Sequence, residues 1–504
     1  MKLDLLLREL EVLDTRGPLD LSIESVCADH REAKPGAMWV AIRGSRVDGH
    51  AWVEEALRGG VSVVVVENDL APWAEAYPQS TLVRVQNSAE ALGLLASAMQ
   101  GHPSRDFDLI GVTGTNGKTS VVTLLYQVFS QMGFTCGLIS TVECRVGDRV
   151  LPSTHTTPDA LRINELLREM KEAGCRYVFM EVSSHAMAQH RVRGLRFRGG
   201  VFTNLTRDHL DYHGTMENYF LAKRAFFDSL DSTAFALYNA DDAYGQAMVS
   251  CSAAIKVAYT LKGGADLPAG QVVFGGSNLV LEPGSLRMDT TEIPVQANLT
   301  GRFNAYNALA VYAVARLLSA APVDISKALA QAQPPQGRMW SLKGPEGRWG
   351  LVDYAHTPDA LEQVLTTLKD LQKDHGRLLV VFGCGGDRDQ GKRPLMAEVA
   401  YAHSDVMVMT SDNPRSEEPL RILEQMREGL PSDAISERVH SMADRDEAIR
   451  EAVRLSRRGD MILVAGKGHE AYQEIQGQRI PFSDRERLTH YLNSIESIDA
   501  NSKS

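Results

Sequence analysis

The sequence predicts an α/β fold in three domains, on three observations. Short β-branched runs alternate with helix-patterned stretches along most of the 504 residues, as in sheets with helices on their faces. Two stretches rich in proline, glycine and charge, GHPSRDFD at 101–108 and QAQPPQGR at 331–338, interrupt that alternation. The length itself favours about three domains of ~150 residues each. The expected boundaries are 1–100, 101–335 and 336–504.

In chain order, MKLDLLLRELEVL sets Asp4, Arg8 and Glu9 among leucines and reads as an amphipathic helix, not a signal peptide. AMWVAIRG and VSVVVVEN are strand candidates of the first domain. In the second, LIGVT, YVFMEV, GVFTNL and FALYN are expected to build a mainly parallel sheet. SVVTLLYQVFSQMG places Val121, Leu124, Leu125, Val128 and Met132 on one helical face, with Gly133 as C-cap. The adjacent prolines at 334 and 335 cannot continue a helix and mark a linker. Beyond it the pattern is GLVDYAH, a helix, LLVVFGCGG, a helix, DVMVMTSDN, two helices and MILVAGKGHE, a Rossmann-like alternation. The loops after those strands carry nearly all the unusual polar residues, at the edge where open α/β sheets bind ligands.

Composition narrows the class of partner. With 44% hydrophobic and 23% charged residues, each domain can bury a core. The net charge of −11, with lysine and arginine dispersed, argues against nucleic acid or an anionic membrane surface as the main partner. Six cysteines without a CxxC pair suit reduced thiols. No apolar run approaches the ~20 residues needed to cross a bilayer. A cytoplasmic monomer acting on small molecules is expected.

The chemistry starts at GVTGTNGKTS, 111–120. Backbone N–H groups of Gly114, Thr115, Asn116, Gly117, Lys118 and Thr119, with Ser120 next in the helix, are expected to surround phosphate oxygens where the helix dipole favours negative charge. Lys118 would neutralise the β- and γ-phosphates of a nucleoside triphosphate, and the Thr119 hydroxyl would ligate Mg2+. Val112 stands where GxxxxGK[ST] has its first glycine, which counts against a motor or switch GTPase.

Glu181 ends the apolar run YVFME, where a carboxylate either meets a metal or reaches solvent. VFTNLTRDHLDYHG gathers Asp208, His209, Asp211 and His213, a set suited to metal or phosphate contacts or to simple solvation. Lys223 in NYFLAKRAFF reads, on local pattern, as a surface lysine with its stem laid along aromatics. Asn304 and Asn307 share one face at a helix start. Arg338 follows the linker, and Asp353 closes a strand in VDYAHTPDAL. GCGG lacks the third glycine of a dinucleotide fingerprint, so hydride transfer is excluded.

Taken together, GTNGKT, EVSSH, TNLTRDHLDYHG, GRFNAYN, DYAHTP and DNPR resemble the Mur ligase family over essentially the whole chain. The resemblance implies a uridine-nucleotide domain, a central ATPase domain and a C-terminal domain that receives an amino acid. It implies an ATP-dependent ligase that activates a glutamate γ-carboxylate of a UDP-N-acetylmuramoyl dipeptide as an acyl phosphate. By motif, Lys118, Glu181 and His209 match the family's ATP and magnesium positions, and Asn304, Asn307, Arg338 and Asp353 match positions that frame the nucleotide. Lys223 matches the family's carbamylated lysine, which with Thr119, Glu181 and His209 completes a metal set.

The sugar–peptide substrate is expected against Thr156, Thr157, Ser183, Gln189 and Arg191, with Ser45, Arg46 and Val47 at the uridine diphosphate loop. His30 stands where relatives often carry serine. For the amino acid, Arg415 offers a planar bidentate cation to the second carboxylate that distinguishes diaminopimelate from lysine. Arg388, Asp412, Asn413, Pro414, Gly466 and Glu470 complete that expected site. A lysine-adding ligase and a folylpolyglutamate synthase-like ligase are the alternatives; the second lacks a domain like the first hundred residues. A nucleotide-dependent scaffold would have no need of Lys118, Glu181, His209 and Lys223 together.

Overall fold

In the computed structural model the chain is described except at residues 45–46, 154, 264–266, 269, 373–375, 435–436 and 502–504, and except for the side chains of 211 and 496–501. Internal contacts gather it into two compact units, residues 1–259 with 264–273, and residues 260–263 with 274–504.

The first unit contains two sheets. The N-terminal one runs Val12–Arg16, Thr81–Val85, Val63–Val66, Ala37–Val40, Ser25–Cys27, with only the first pair antiparallel. Its first strand corrects an expectation. Helix forms only over Leu3–Leu7, where Leu3 and Leu6 are buried, and Val12 turns into the edge strand. A short isolated helix is marginal, so pairing with Thr81–Val85 decides the state of the later residues.

The larger sheet runs Ile255–Thr260, Phe235–Asn239, Gly199–Phe202, Asp108–Thr113, Tyr177–Glu181, Cys136–Ile139, all parallel, then antiparallel Glu143–Val146 and Arg149–Pro152. All four predicted strands lie in it. The helix Lys118–Gln131 buries Val121, Leu124, Leu125 and Val128 completely, as expected, whereas Met132 is its half-buried C-cap and Gly133, expected as the C-cap, follows it at φ 88°. Because Asp108–Thr113 lies between Tyr177–Glu181 and Gly199–Phe202, in parallel, the three loops that follow these strands emerge side by side.

The second unit opens with an antiparallel meander, Val272–Glu282, Ser285–Thr290 and Pro294–Ala297, and the helices Arg302–Leu317 and Pro322–Gln331. Its larger sheet runs Trp340–Lys343, Trp349–Asp353, Met461–Ala465, Leu378–Cys384, Val406–Ser411, Val439–Ser441, parallel except for the first pair. Helices Pro358–Gln372, Lys392–His403, Pro419–Arg427 and Arg445–Leu455 connect these strands, and apolar clusters fill both faces. The last edge strand, Val439–Ser441, was not expected between the two helices that flank it; three residues are too few to show a period.

Candidate active site

The phosphate loop is braced from the neighbouring strand end. A Cβ on Gly114, at φ 148°, would stand 1.9 Å from Thr203 Oγ1, so only glycine fits there. Thr203 Oγ1 donates to the Asn116 carbonyl at 2.6 Å. Asn204 accepts Thr115 N–H on its carbonyl (2.8 Å) and Asn116 N–H on its side-chain oxygen (2.9 Å). That corrects the expected cradle: the N–H groups of Thr115 and Asn116 serve Asn204, and Gly117 is the N-cap of the helix. Thr119 and Ser120 are buried in its first turn, and half-buried Lys118 folds back to donate to the Gly114 and Thr115 carbonyls at 2.9 and 2.8 Å.

A second lysine reaches the same place. Lys223, on helix Met216–Asp228, is 1% exposed and donates to the Gly114 carbonyl at 2.7 Å, with its Nζ 4.5 Å from the Tyr219 ring centroid. Burial first, and then the charge of Lys118, push its ammonium well below the usual lysine range, against a weaker opposing effect of Asp208. The local reading of Lys223 as a surface lysine is therefore wrong. The helix turns Tyr219, Lys223, Phe226 and Phe227 inward together, a tertiary fact that residue spacing alone does not contain.

Glu181 is fully buried and aligned with Val112 across the parallel pair. Its carboxylate accepts from Thr141 N–H at 2.7 Å and Thr141 Oγ1 at 3.1 Å, which removes the solvent-facing alternative. His209, at φ 52°, caps the short helix Leu210–His213 and sets its ring 4.9 Å from that of His185. His213 lies beside the same His185, ring centroids 5.5 Å apart, with its Nε2 2.9 Å from Ser184 Oγ, and the side chain of Asp211 is outside the described residues.

The residues expected at the sugar–peptide substrate adjoin Glu181. Thr156 Oγ1 lies 3.1 Å from Thr141 Oγ1, whose one proton goes to Glu181. Buried Thr157 donates to the Glu181 carbonyl (2.8 Å) and accepts from Ser183 N–H (3.1 Å), so its hydroxyl shapes the turn. Arg191 donates to the Thr157 carbonyl (2.6 Å) and to Gln189 Oε1 (2.7 Å). At the N-terminal sheet, the His30 ring stacks on Trp52 with centroids 4.6 Å apart. Val47 is exposed, and Ser45 and Arg46 lie outside the described residues.

In the second unit, buried Asn304 donates to the Thr300 carbonyl and accepts from Asn307 Nδ2, both at 2.9 Å. Asp353 is buried and accepts from Met339 N–H (2.7 Å) and Ala355 N–H (2.8 Å); burial pushes its carboxyl up, with Arg338 opposing. Arg338 lies over the Tyr354 ring, 4.8 Å from its centroid. The strand-end loops then converge. Arg415, at φ 50°, donates to the Gly386 carbonyl at 2.7 Å, and its loop is tied back where Asp387 accepts from Ser416 Oγ at 2.7 Å. Asn413 Nδ2 donates to Glu470 at 2.7 Å. Gly466, at φ 114°, faces Asp412, the Pro414 carbonyl packs on Gly386, and Arg388 is exposed.

Known proteins resemble this chain in sequence and fold. Sequence profiles match in three successive stretches: the Mur ligase family catalytic domain at residues 22–100, the Mur ligase middle domain at 112–315, and the Mur ligase glutamate ligase domain at 337–468. The chain is 45% identical over 490 residues to the UDP-N-acetylmuramoyl-L-alanyl-D-glutamate–2,6-diaminopimelate ligase of Phocaeicola vulgatus, covering 97% of this chain and 99% of the relative. The chain belongs to the Mur ligase family.

A second relative of the same description, from Parabacteroides distasonis, is 44% identical over 500 residues, covering 99% of this chain and all of the relative. A solved structure of a ligase of that description superposes with a TM-score of 0.67 at 30% identity, covering 94% of this chain and 95% of that one. Residues that the motif reading did not single out also hold the site's side chains and loops in place. Thr203 and Asn204 lock the phosphate loop, Thr141 holds Glu181, and Lys467 binds Asn413 and Glu470. Asn204 and Lys467 were within quoted motifs, polar residues just past apolar strands. Thr141 stands two residues after Cys136–Ile139, a strand not picked out beforehand.

Proposed function

We propose that this Mur ligase joins meso-2,6-diaminopimelate to the D-glutamate γ-carboxylate of UDP-N-acetylmuramoyl-L-alanyl-D-glutamate, with ATP converted to ADP and phosphate, in cytoplasmic peptidoglycan precursor synthesis. A glutamate carboxylate oxygen attacks the γ-phosphorus and ADP leaves. The amine of the incoming amino acid then attacks the acyl phosphate carbonyl, loses a proton, and expels phosphate as the amide forms. In this reading residues 1–100 hold the uridine nucleotide, 101–335 the ATP and 336–504 the amino acid, in a monomer.

The residues act as follows. Gly117 to Ser120 present the helix N-terminus to the phosphates, and Lys118 swings from its two carbonyls to the transferring phosphoryl group. Asn304, Asn307, Arg338 and Asp353 frame the nucleotide. Thr156, Ser183, Gln189 and Arg191 position the dipeptide, and His30 with Val47 flanks the uridine. Lys223, with its ammonium disfavoured, supplies a neutral amine that adds CO2 and releases a proton, giving a carbamate.

Mg2+ would be held by oxygen donors here: the fully buried Glu181 carboxylate, whose hydrogen-bond donor among the described residues is Thr141, the Thr119 hydroxyl and the carbamate on Lys223, with the His209 imidazole as a softer nitrogen donor. When bound, it offsets negative charge at the transferring phosphate.

The observation that carries the choice of amino acid is the loop pair 385–388 and 412–415. It holds Arg415 in a left-handed conformation beside Asp412 and Asn413, a cation for the far carboxylate next to a carboxylate, Asp412, that can accept from an ammonium. Lysine would leave that cation unmatched, at a cost of several kcal/mol on the scale of unpaired polar groups. The test is phosphate release with ATP, Mg2+ and the UDP-dipeptide, with meso-diaminopimelate or L-lysine in parallel. Turnover with diaminopimelate alone is expected. Turnover with lysine alone would leave the family intact and overturn the role given to Arg415.

A further inference from the structure

Among the carboxylates that this reading assigns to the incoming amino acid lies a lysine that the reaction as written does not use. Lys467 is fully buried. Its ammonium donates to Asn413 Oδ1 at 2.9 Å and to Glu470 Oε2 at 3.0 Å, and stands 3.7 Å from Asp412 Oδ1. Asn413 Nδ2 donates to the same Glu470 oxygen at 2.7 Å. One cation therefore ties together three residues from two loops, those after Val406–Ser411 and Met461–Ala465.

Without that cation the arrangement would change in kind. Asp412 and Glu470 would face each other across a partly buried space, and like charges so placed favour protonation of one of them. A protonated carboxyl is a poor acceptor for an ammonium group. Asn413 would also lose one of the two donors that fix its amide, keeping the Glu474 N–H at 2.9 Å, and the orientation of the Nδ2 that holds Glu470 would be less tightly set. Burial raises the Glu470 carboxyl, but Lys467, Asn413 and then His469 act against it, and the balance lies below the usual carboxylate range. The other groups around Glu470 are Asp412, Tyr354 after Trp349–Asp353, Arg445 at the start of Arg445–Leu455, and Tyr472, whose ring lies 5.5 Å from the Lys467 ammonium.

We propose that Lys467 is a positioning residue for amino-acid recognition, fixing Asn413 and keeping Glu470 as the carboxylate that accepts the ammonium group of the substrate. This rests on the reading of 412–415 and 466–470 as the amino-acid site. A buried lysine that merely holds the fold together would affect all substrates alike. One that positions Glu470 acts on the amino acid selectively.

Lys467→Met and Lys467→Arg in the full chain separate these roles, with KM measured for each substrate. Lys467→Met is expected to raise KM for meso-diaminopimelate by about 100-fold, on the scale of a lost charge-assisted pair, with KM for ATP and for the UDP-dipeptide unchanged. The acid limb of kcat/KM for diaminopimelate moves to higher pH, because Glu470 loses the charge that holds its carboxyl down. Lys467→Arg restores part of both. An unchanged KM for the amino acid, or equal rises for all three substrates, overturns the proposal.

If Lys467→Met does not fold, Glu470→Gln decides. It leaves the lysine in place and removes the titrating group, so persistence of the acid limb overturns the proposal and its loss supports it. Wild-type protein that turns over lysine in place of diaminopimelate refutes the choice of substrate, and the same KM comparison made with lysine still decides the role of Lys467.

Discussion

Two lysines are equally buried in this molecule and are used in opposite ways. Lys223 has a carbonyl, an aromatic ring and another lysine around it, and its charged form is disfavoured. Lys467 has an amide oxygen and two carboxylates, and is one member of an ion pair at 3.0 Å with Glu470. Burial is the same, so the neighbours decide. A buried lysine among carboxylates organises them, whereas one beside a second cation becomes an amine with a lone pair available for chemistry. Arg445 extends the first case: it and Asp484 are both fully buried, joined by two contacts of 2.7 Å, and Arg445 also donates to the Ser411 and Ala465 carbonyls at the strand ends that carry the amino-acid loops.

The largest effect is expected where the lysine does chemistry. Lys118→Ala and Lys223→Ala are each expected to lower kcat by about 10^4-fold, or ~5 kcal/mol of transition-state stabilisation. Steady-state phosphate release measures this. Bicarbonate sharpens the contrast: wild-type enzyme stripped of CO2 should regain rate when it is added, and Lys223→Ala should not respond. A Lys223→Ala enzyme within tenfold of wild type would end the chemical half of the comparison. Where the cation is paired, the loss should instead appear in stability. Asp484→Ala leaves Arg445 buried and unmatched, at a cost of about 3–5 kcal/mol, read as a fall in Tm. If the melting curve hardly moves, pairing matters less at this depth than the comparison requires.

Much of the fold was legible because its signals are local. Strands such as Tyr177–Glu181 and Leu378–Cys384 are continuous apolar runs that end in polar residues, and the helix after the phosphate loop repeats its buried face every three or four residues. The polar strand ends pointed to the edge that the structure confirms as the meeting place of the loops. What stayed hidden depends on contacts far apart in the chain. Asn204 reaches Asn116 across 88 residues, Thr141 reaches Glu181 across 40, and Asn413 and Lys467 are 54 apart. The helix signal of the N-terminal leucines held over Leu3–Leu7 and failed beyond it for the same reason, since Val12 is decided by Val85. Lys223 is the plainest case: its motif suggested a carbamate through resemblance, but nothing in NYFLAKRAFF says that the amine is buried beside Lys118.

The smallest expected effect tests the charge state of Lys223 directly, without catalysis. Its folded-state ammonium titrates well below 10.5, the ordinary value that the unfolded chain restores. Between the two values the unfolded chain binds more protons than the folded one, so stability rises with pH across that window. At lower pH the full cost of holding the charge, or of giving up its proton, opposes folding. Lys223→Met keeps the length of the side chain and removes the titration. In CO2-free buffer at neutral pH it should melt higher than wild type, at roughly 2–4 °C per kcal/mol for a domain of this size, and the gap should close as pH approaches the ordinary lysine range. A gap that stays constant with pH, or a Met variant that melts lower throughout, would mean that Lys223 keeps its proton in the fold, and the contrast with Lys467 would then be one of partners alone.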